Sequence, residues 1–260
     1  MAVLESGVGA VATASGHAAQ FMALTSVCEP GHNFVSMMHL YGGTFNQFWV
    51  YFEKLDILSR FVKGSGPEKI RDAIDEKPRL VYVETSGNPQ FNVPDLKRTS
   101  EVCHEAGLPL IVDNTFGMGG YLCKPIELGA DIVTSSVMEW IGGHGTSMGM
   151  VIIDGGHFDW SASGKLPCMS VSIPEFILRF NKGYRTEPAD GYHDMRFRET
   201  CGYKALSAKV QMDAMCDLGP GMIPSNAWLF VQGLKALALH AERHVYNTLA
   251  LAQGPKHIRA

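Results

Sequence analysis

Residues 80–113 decide the fold, reading Leu-Val-Tyr-Val-Glu at 80–84, a helical pattern at 95–106 and Leu-Pro-Leu-Ile-Val-Asp at 108–113. The two apolar runs have the length and β-branched content of buried strands. The segment between them has helical periodicity and stops at Gly107. A strand, a helix and a second strand in this order form the repeating unit of a parallel sheet. This stretch therefore predicts two neighbouring parallel strands.

The same alternation covers the first 155 residues. Further strand candidates lie at 33–38, 57–62, 131–135 and 148–154, and residues 67–74 form a helix candidate opened by a proline. Strands this apolar are typical of a sheet that is covered on both faces. We predict an α/β fold, a mostly parallel sheet with helices on both faces.

The pattern changes after residue 155. Residues from about 155 to 203 are rich in Gly, Pro and Ser with little periodicity, and we expect a long irregular excursion there. Helices are expected at 204–218 and 226–251. We predict one large domain over residues 1–225, followed at 226–260 by a long helix that would lead into a C-terminal small domain largely missing from this sequence.

The composition narrows the function classes. The chain has 260 residues, 46% hydrophobic and 18% charged, with a formal net charge of −4, which does not favour nucleic acid or an anionic membrane. The six cysteines are scattered without a C-x-x-C pair, and no secretory signal is visible at the start. We therefore expect a cytoplasmic protein with reduced thiols and no metal site, in which His104 is a surface residue.

Five motifs occur in order along the chain. They are Ala-Thr-Ala-Ser-Gly-His-Ala-Ala-Gln-Phe at 12–21, Leu-Tyr-Gly-Gly-Thr at 40–44, Glu-Thr-Ser-Gly-Asn-Pro at 84–89, Val-Asp-Asn-Thr-Phe at 112–116 and Trp-Ile-Gly-Gly-His-Gly at 140–145. Together they resemble the pyridoxal-phosphate (PLP) enzymes of Cys/Met metabolism, which have fold type I. The O-acetylhomoserine sulfhydrylase branch is the most similar.

The resemblance implies a role for each matching residue. Ser15, Gly16 and His17 would cradle the cofactor phosphate at a helix N-terminus, where backbone N–H groups and the helix dipole favour an anion. Tyr41 would stack on the pyridine ring, Asp113 would pair with its nitrogen, and Asn88 would bond its phenolic oxygen. Plainer alternatives stay open, because Gly16 could serve only a turn and Asp113 could cap a strand end.

The motif that would carry the Schiff-base lysine differs. The family reads Ser-x-Thr-Lys before Trp-Ile-Gly-Gly-His, whereas this chain reads Ser136-Val137-Met138-Glu139. A glutamate cannot condense with an aldehyde, and Met138 replaces a phosphate-binding threonine. The resemblance also implies that a Tyr-x-Arg arm and a substrate-binding arginine lie outside these 260 residues. We therefore expect no cofactor and the loss of PLP.

Methionines suggest what replaced the cofactor. Six lie near the strand ends that would line the old site: Met37, Met38, Met118, Met138, Met148 and Met150. Methionine adapts to irregular apolar ligands, so this wall predicts a pocket for an apolar small molecule. We place Ser136, Met138 and Met118 among its ligand-binding residues. The alternative is ordinary core filling around a vacated cavity.

A catalytic hypothesis follows for Glu139. A carboxylic acid that is kept neutral by burial can donate a hydrogen bond to a carbonyl or act as a general acid. Glu139, with Asp113 or His144 beside it, would polarise a carbonyl-bearing substrate. The alternative for Glu139 is a structural salt bridge with a neighbouring cation.

Three functions remain open. The leading prediction is a homo-oligomeric, PLP-independent enzyme of lyase, cyclase or isomerase type acting on an apolar, carbonyl-bearing molecule such as a secondary metabolite. The second is a non-catalytic pseudoenzyme that pairs with an intact O-acetylhomoserine sulfhydrylase-like partner. The third is a residual sulfhydrylase or transsulfuration lyase that binds PLP non-covalently or through another lysine, such as Lys124.

Overall fold

The computed structural model describes residues 1–166, 169 and 197–254. Within these residues the chain forms one seven-stranded sheet with the order β1-β7-β6-β5-β4-β2-β3. The strands are β1 (Gly9–Thr13), β2 (Asn33–Met37), β3 (Leu58–Val62), β4 (Pro78–Glu84), β5 (Leu110–Asp113), β6 (Ile132–Ser136) and β7 (Met150–Asp154).

The sheet is mostly parallel, as predicted. The pairs β2–β3, β2–β4, β4–β5 and β5–β6 are parallel, and β7 runs antiparallel to both β6 and β1. The parallel pairing of β4 with β5 sets Glu84 directly opposite Asp113. Two carboxyl groups therefore end neighbouring strands at the same edge of the sheet.

Helices cover both faces, which confirms the predicted α/β class. They are α1 (Gly16–Thr25), α2 (Gly42–Asn46), α3 (Pro67–Ala73), α4 (Leu96–Glu105), α5 (Phe197–Cys201), α6 (Ala205–Val210), α7 (Cys216–Leu218), α8 (Pro224–Leu234) and α9 (Leu237–Gln253). One core contains Met22 of α1 and Leu206 of α6, and the other contains Val102 of α4 and Phe230 of α8. Alternate residues of β4 enter the two cores, since Tyr82 faces the first and Val83 the second.

Three predictions of local structure need correction. The strand β1 was not predicted, because its sequence Gly-Ala-Val-Ala-Thr has few residues with high β propensity. The helix predicted at 226–251 is two helices, α8 and α9, which part at Lys235 and Ala236. The predicted excursion at 155–203 ends in helix α5, and most of its remainder lies outside the described residues.

No helix in the described ranges combines the length and the apolar character that crossing a membrane requires.

Candidate functional site

A cavity of about 310 Å³ opens at the carboxyl ends of β4, β5 and β6, beside the N-terminus of α1. Ligands bind at this kind of edge in open α/β sheets. Most of the predicted site residues line it: Ser15, Gly16, His17, Tyr41, Asn88, Asp113, Ser136, Met138 and Glu139. The fold thus brings together side chains from four of the five motifs and from the segment 136–139 before the fifth, and their roles stay predictions.

The N-terminus of α1 forms one wall of the cavity. The Ser15 side chain caps this ten-residue helix, because its Oγ accepts a hydrogen bond from the Ala18 amide at 3.2 Å. The first amides of a helix have no partner inside the helix, and they carry its positive dipole end. Gly16 and His17 begin the helix and line the cavity. This wall can therefore hold an anionic group.

Asp113 is fixed from both sides. Its Oδ1 accepts hydrogen bonds from the Thr115 amide at 2.9 Å and the Thr115 hydroxyl at 2.6 Å. Its Oδ2 accepts from Gln20 Nε2 at 3.1 Å and from the Tyr82 hydroxyl at 3.3 Å. Burial raises the pKa of Asp113, and the bonds from Thr115 and Gln20 act in the opposite direction. The side chain is held in one orientation facing the cavity.

Glu84 is a second acidic group of the cavity, and it was not among the predicted site residues. Its Oε1 accepts a hydrogen bond from the Tyr41 amide at 2.8 Å. Burial, followed by the charge of Asp113, raises the pKa of Glu84 from 4.5 to about 8. The fold therefore favours the protonated form of Glu84 near neutral pH. The sequence held a signal for it, because Glu84 is the charged last residue of an otherwise apolar run.

Glu139 lies in a single π-helical turn, Met138–Gly142, that follows β6, and its side chain is exposed. The prediction of a neutral Glu139 buried in an apolar wall is corrected, since the desolvation on which it relied is absent. The salt-bridge alternative is not seen either, because no ion pair among the described residues includes Glu139. Glu139 lines the cavity as an acid open to solvent.

Met118, His144 and Lys124 are not among the lining residues of this cavity. Met118 is buried at the end of a short helical turn with φ of 54°. The exposed His144 lies beside the ring of His240, with ring centroids 6.0 Å apart. Lys124 Nζ lies 3.4 Å from Glu127. The structure therefore does not place Met118, His144 or Lys124 at this cavity, and the roles predicted for them stay untested predictions.

Of the six methionines that were predicted to lie near the cavity, three line it. Met138, Met148 and Met150 line the cavity. Met37 belongs to the core on the other face of the sheet, because neighbouring residues of a strand point to opposite faces. The cavity wall is therefore mixed, lined by these three methionines together with Glu84, Asp113 and Glu139.

Gly43 shapes the mouth of the cavity. A Cβ atom at Gly43 would lie 2.6 Å from the Tyr41 ring and 2.7 Å from the His17 ring. The two rings lie with their centroids 6.3 Å apart, and both line the cavity. Only a residue without a side chain allows them to approach in this way.

Comparisons with known proteins agree with the fold. Residues 1–254 match the family model described as Cys/Met metabolism PLP-dependent enzyme. The chain is 48% identical over 253 residues to the homocysteine synthase of Schizosaccharomyces pombe, covering 97% of this chain and 56% of that protein. It is 46% identical to O-acetyl-L-homoserine sulfhydrylase 1 of Thermus thermophilus, with the same shares covered.

A solved structure supports the fold independently. The crystal structure of an O-acetylhomoserine (thiol)-lyase from Campylobacter jejuni superimposes with a TM-score of 0.86 at 24% identity, covering 98% of this chain and 60% of the other. At that identity the likeness shows the fold alone. The chain spans about half the length of the curated relatives it matches.

Proposed function

Because the chain belongs to the family of Cys/Met metabolism PLP-dependent enzymes, we propose that its cavity binds a phosphorylated pyridine of the PLP type without a covalent bond. We propose further that it prefers the amine form, pyridoxamine 5′-phosphate, to the aldehyde form. One observation carries the proposal: the cavity keeps Asp113 and the α1 N-terminus, but an acid, Glu139, stands at the position where the family resemblance implies a lysine.

The lining residues fit the ring and the phosphate of such a ligand. Asp113 is held by Thr115 and Gln20 in an orientation that suits a protonated ring nitrogen. Tyr41 lies at the mouth in the space that Gly43 leaves, and the N-terminus of α1 can take the phosphate. When it is bound through a lysine, PLP supplies an electron sink for amino-acid chemistry.

The lining residues do not fit covalent attachment. Within the described chain, neither lysine nor arginine lines the cavity. Carbon–nitrogen bond formation with an aldehyde needs an amine, so these residues offer no anchor for it. The relatives named above include a homocysteine synthase and a sulfhydrylase. We propose that this chain alone does not perform their sulfhydrylation.

Charge favours the amine form. Three acidic side chains line the cavity, Glu84, Asp113 and Glu139, and Glu139 is the exposed one at the former lysine position. The aldehyde group offers no positive charge to Glu139. The ammonium group of pyridoxamine 5′-phosphate does, and a charge-assisted hydrogen bond between them would replace the covalent link. The same ammonium offsets part of the phosphate charge.

Calorimetry with pyridoxamine 5′-phosphate and PLP tests the proposal on the full chain. We expect saturable binding of both, with the amine form bound at least about fivefold more tightly, which corresponds to about 1 kcal/mol. The E139Q variant should lose that preference, because the amide is uncharged. The control E76Q changes an exposed glutamate that does not line the cavity and should keep the preference.

A covalent test complements the binding test. We expect that borohydride treatment with PLP leaves no adduct on the peptide at position 139 of the natural chain, and that it attaches one in the E139K variant, as detected by mass spectrometry. If neither ligand binds at millimolar concentration, or if PLP binds more tightly than the amine, the proposal is wrong.

A second candidate function is favoured by the protonated Glu84. A neutral carboxylic acid with a pKa of about 8, next to Asp113 and facing methionines, has the properties of a general acid for an apolar carbonyl compound. In this candidate the function is still the predicted PLP-independent lyase, cyclase or isomerase, but the general acid is Glu84 instead of Glu139. Turnover that is abolished by E84Q and unchanged by E139Q would support it.

A further inference from the structure

A cluster of two histidines and one aspartate lies at the end of the sheet opposite to the cavity. Asp131 immediately precedes β6, His104 lies in α4, and His157 follows β7. Their potential ligand atoms all lie within 4.8 Å of one another. The cavity opens at the other end of β6, so this cluster plays no part in the function proposed above.

The distances within the cluster match those between ligands of one metal ion. His104 Nε2 lies 2.9 Å and 3.1 Å from the two carboxylate oxygens of Asp131, and His157 Nε2 lies 3.1 Å from Oδ1. In a tetrahedral Zn²⁺ site, with metal–ligand bonds of about 2.0 Å, neighbouring ligand atoms are about 3.3 Å apart. Small side-chain rotations would therefore place an ion between the three groups.

The carboxylate of Asp131 is fixed in place. Its side chain is fully buried, and the Leu110 amide donates a hydrogen bond to Oδ2 at 2.7 Å. A metal site gains affinity when outer hydrogen bonds hold its ligands in one orientation. Asp131 is therefore a preorganised ligand, and the two imidazole rings are the groups that adjust.

The histidines present the correct nitrogen to the ion. Nε2 of each histidine faces Asp131, and Nδ1 of His157 lies 3.4 Å from the Gly155 carbonyl oxygen, which can keep a proton on Nδ1. Without an ion Nε2 of His157 donates to the Asp131 carboxylate, and an ion would replace that Nε2 proton on binding. The side chains of His104 and His157 are 37% and 40% exposed, so water can reach the site as a further ligand. Imidazole with one carboxylate suits Zn²⁺ and its neighbours in the first transition row.

We propose that His104, Asp131 and His157 bind one Zn²⁺ ion, with water as the fourth ligand, and that this ion joins α4 to the segments flanking β6 and β7. The role of the ion is structural. His104 and Asp131 are 27 residues apart along the chain, and His157 lies in a third segment after β7. One ion would therefore connect three separate segments at this end of the sheet.

Titration of the metal-free full chain with zinc sulfate in a calorimeter tests this proposal. We expect one ion per chain, and a melting temperature, Tm, that rises by roughly 5 °C at a hundredfold excess of zinc over Kd. The H157Q variant should bind at least about tenfold more weakly, because one ligand of three is lost.

The H240Q variant is the matched control. His240 also lies beside a second histidine, His144, but among the described residues that pair belongs to no group of three potential metal ligands. This variant should bind zinc as tightly as the natural chain. H104Q serves as a second ligand variant, and circular dichroism verifies that each variant is folded. Absence of binding at 100-fold molar excess of zinc, or equal affinities of natural, H157Q and H104Q chains, overturns the proposal.

Discussion

At the residue scale, the carboxyl groups of Glu84 and Asp113 share one environment. They end paired strands opposite each other, and each negative charge disfavours the other in a wall with little water. Gln20 Nε2, on α1, donates to the Tyr82 hydroxyl at 2.9 Å and to Asp113 Oδ2 at 3.1 Å, so the direct partner of Asp113 on this helix is a neutral amide. Their protonation state is therefore a property of the pair.

Glu84 makes the stability of the protein depend on pH. Its pKa rises from 4.5 in the unfolded chain to about 8 in the fold, and burial raises that of Glu5 and Glu29 to about 7. Between these limits the folded state binds protons that the unfolded state has lost. The free energy of unfolding therefore falls as pH rises through this window.

His32 acts in the opposite direction only below pH 6.5, because burial lowers its pKa to about 4. Urea denaturation at pH 6.5 and 8.5 should therefore show lower stability at pH 8.5. The E84Q variant should lose a large part of that difference, and E68Q, at an exposed site, should keep it. A free energy of unfolding that increases from pH 6.5 to 8.5 contradicts the assignment.

The motifs located the site residues well and their environments poorly. Ser15, Tyr41 and Asp113 reach the cavity because each ends or follows a strand, and these strand ends lie at the same edge of the sheet. The exposure of Glu139 depends on a π-helical turn after β6, which has no signal in the sequence. The contact between His157 and Asp131 was not predicted either. It depends on β7 running antiparallel to β6, which places the segment after β7 next to the residue before β6.

At the element scale, the contact between α8 and the turn at Met138–Gly142 limits the side chains that the helix can carry. A Cβ atom on Gly233 would collide with the Ile141 carbonyl oxygen. Glycine at this position therefore lets α8 pack closely on the turn that carries Glu139, shortly before the helix ends at Leu234.

The G233A variant should lower the free energy of unfolding by about 1–3 kcal/mol, because the added methyl group forces the two backbones apart. Gly42 provides the control, since no atom lies within 4 Å of a Cβ built there. G42A should be neutral or slightly stabilising, because alanine favours the helix that begins at this residue. Chemical denaturation measures both. Equal stabilities of the two variants would show that the close packing does not matter.

Periodicity predicted most elements because their residues alternate or repeat strongly. The strands at β2 to β7 and the helix α4, capped by Asp95, follow from apolar runs and local caps. Strand β1 was not predicted, because pairing with β7 stabilises it more than the β propensity of its own residues does.

At the scale of the whole molecule, α8 and α9 expose many large apolar side chains. They are Trp228, Leu229 and Val231 on α8, and Leu239, Tyr246, Leu249 and Leu251 on α9. Single exposed apolar residues are common, but a group on two consecutive helices is typical of an interaction surface. We propose that a second copy of the chain covers this surface.

Sedimentation velocity tests the homo-oligomer. We expect the chain at micromolar concentration to sediment as an oligomer, and the double variant W228E/Y246E to sediment as a smaller species, because a charge disfavours burial. V93E changes an equally exposed apolar residue away from these helices and should keep the assembly. A natural chain that is monomeric at 50-fold higher concentration than this would exclude the proposal.

The pairing of Gly9 in β1 with Asp154 in β7 also determines when β1 can join the sheet during translation. β1 is translated long before β7, yet β7 is the strand with which it pairs in the sheet of the described residues. At translation speeds of about 5–20 residues per second, the segment waits roughly ten seconds for that neighbour. Ser15 follows directly behind it, so we expect the α1 wall of the cavity to form only after the residues of β7 have left the exit tunnel.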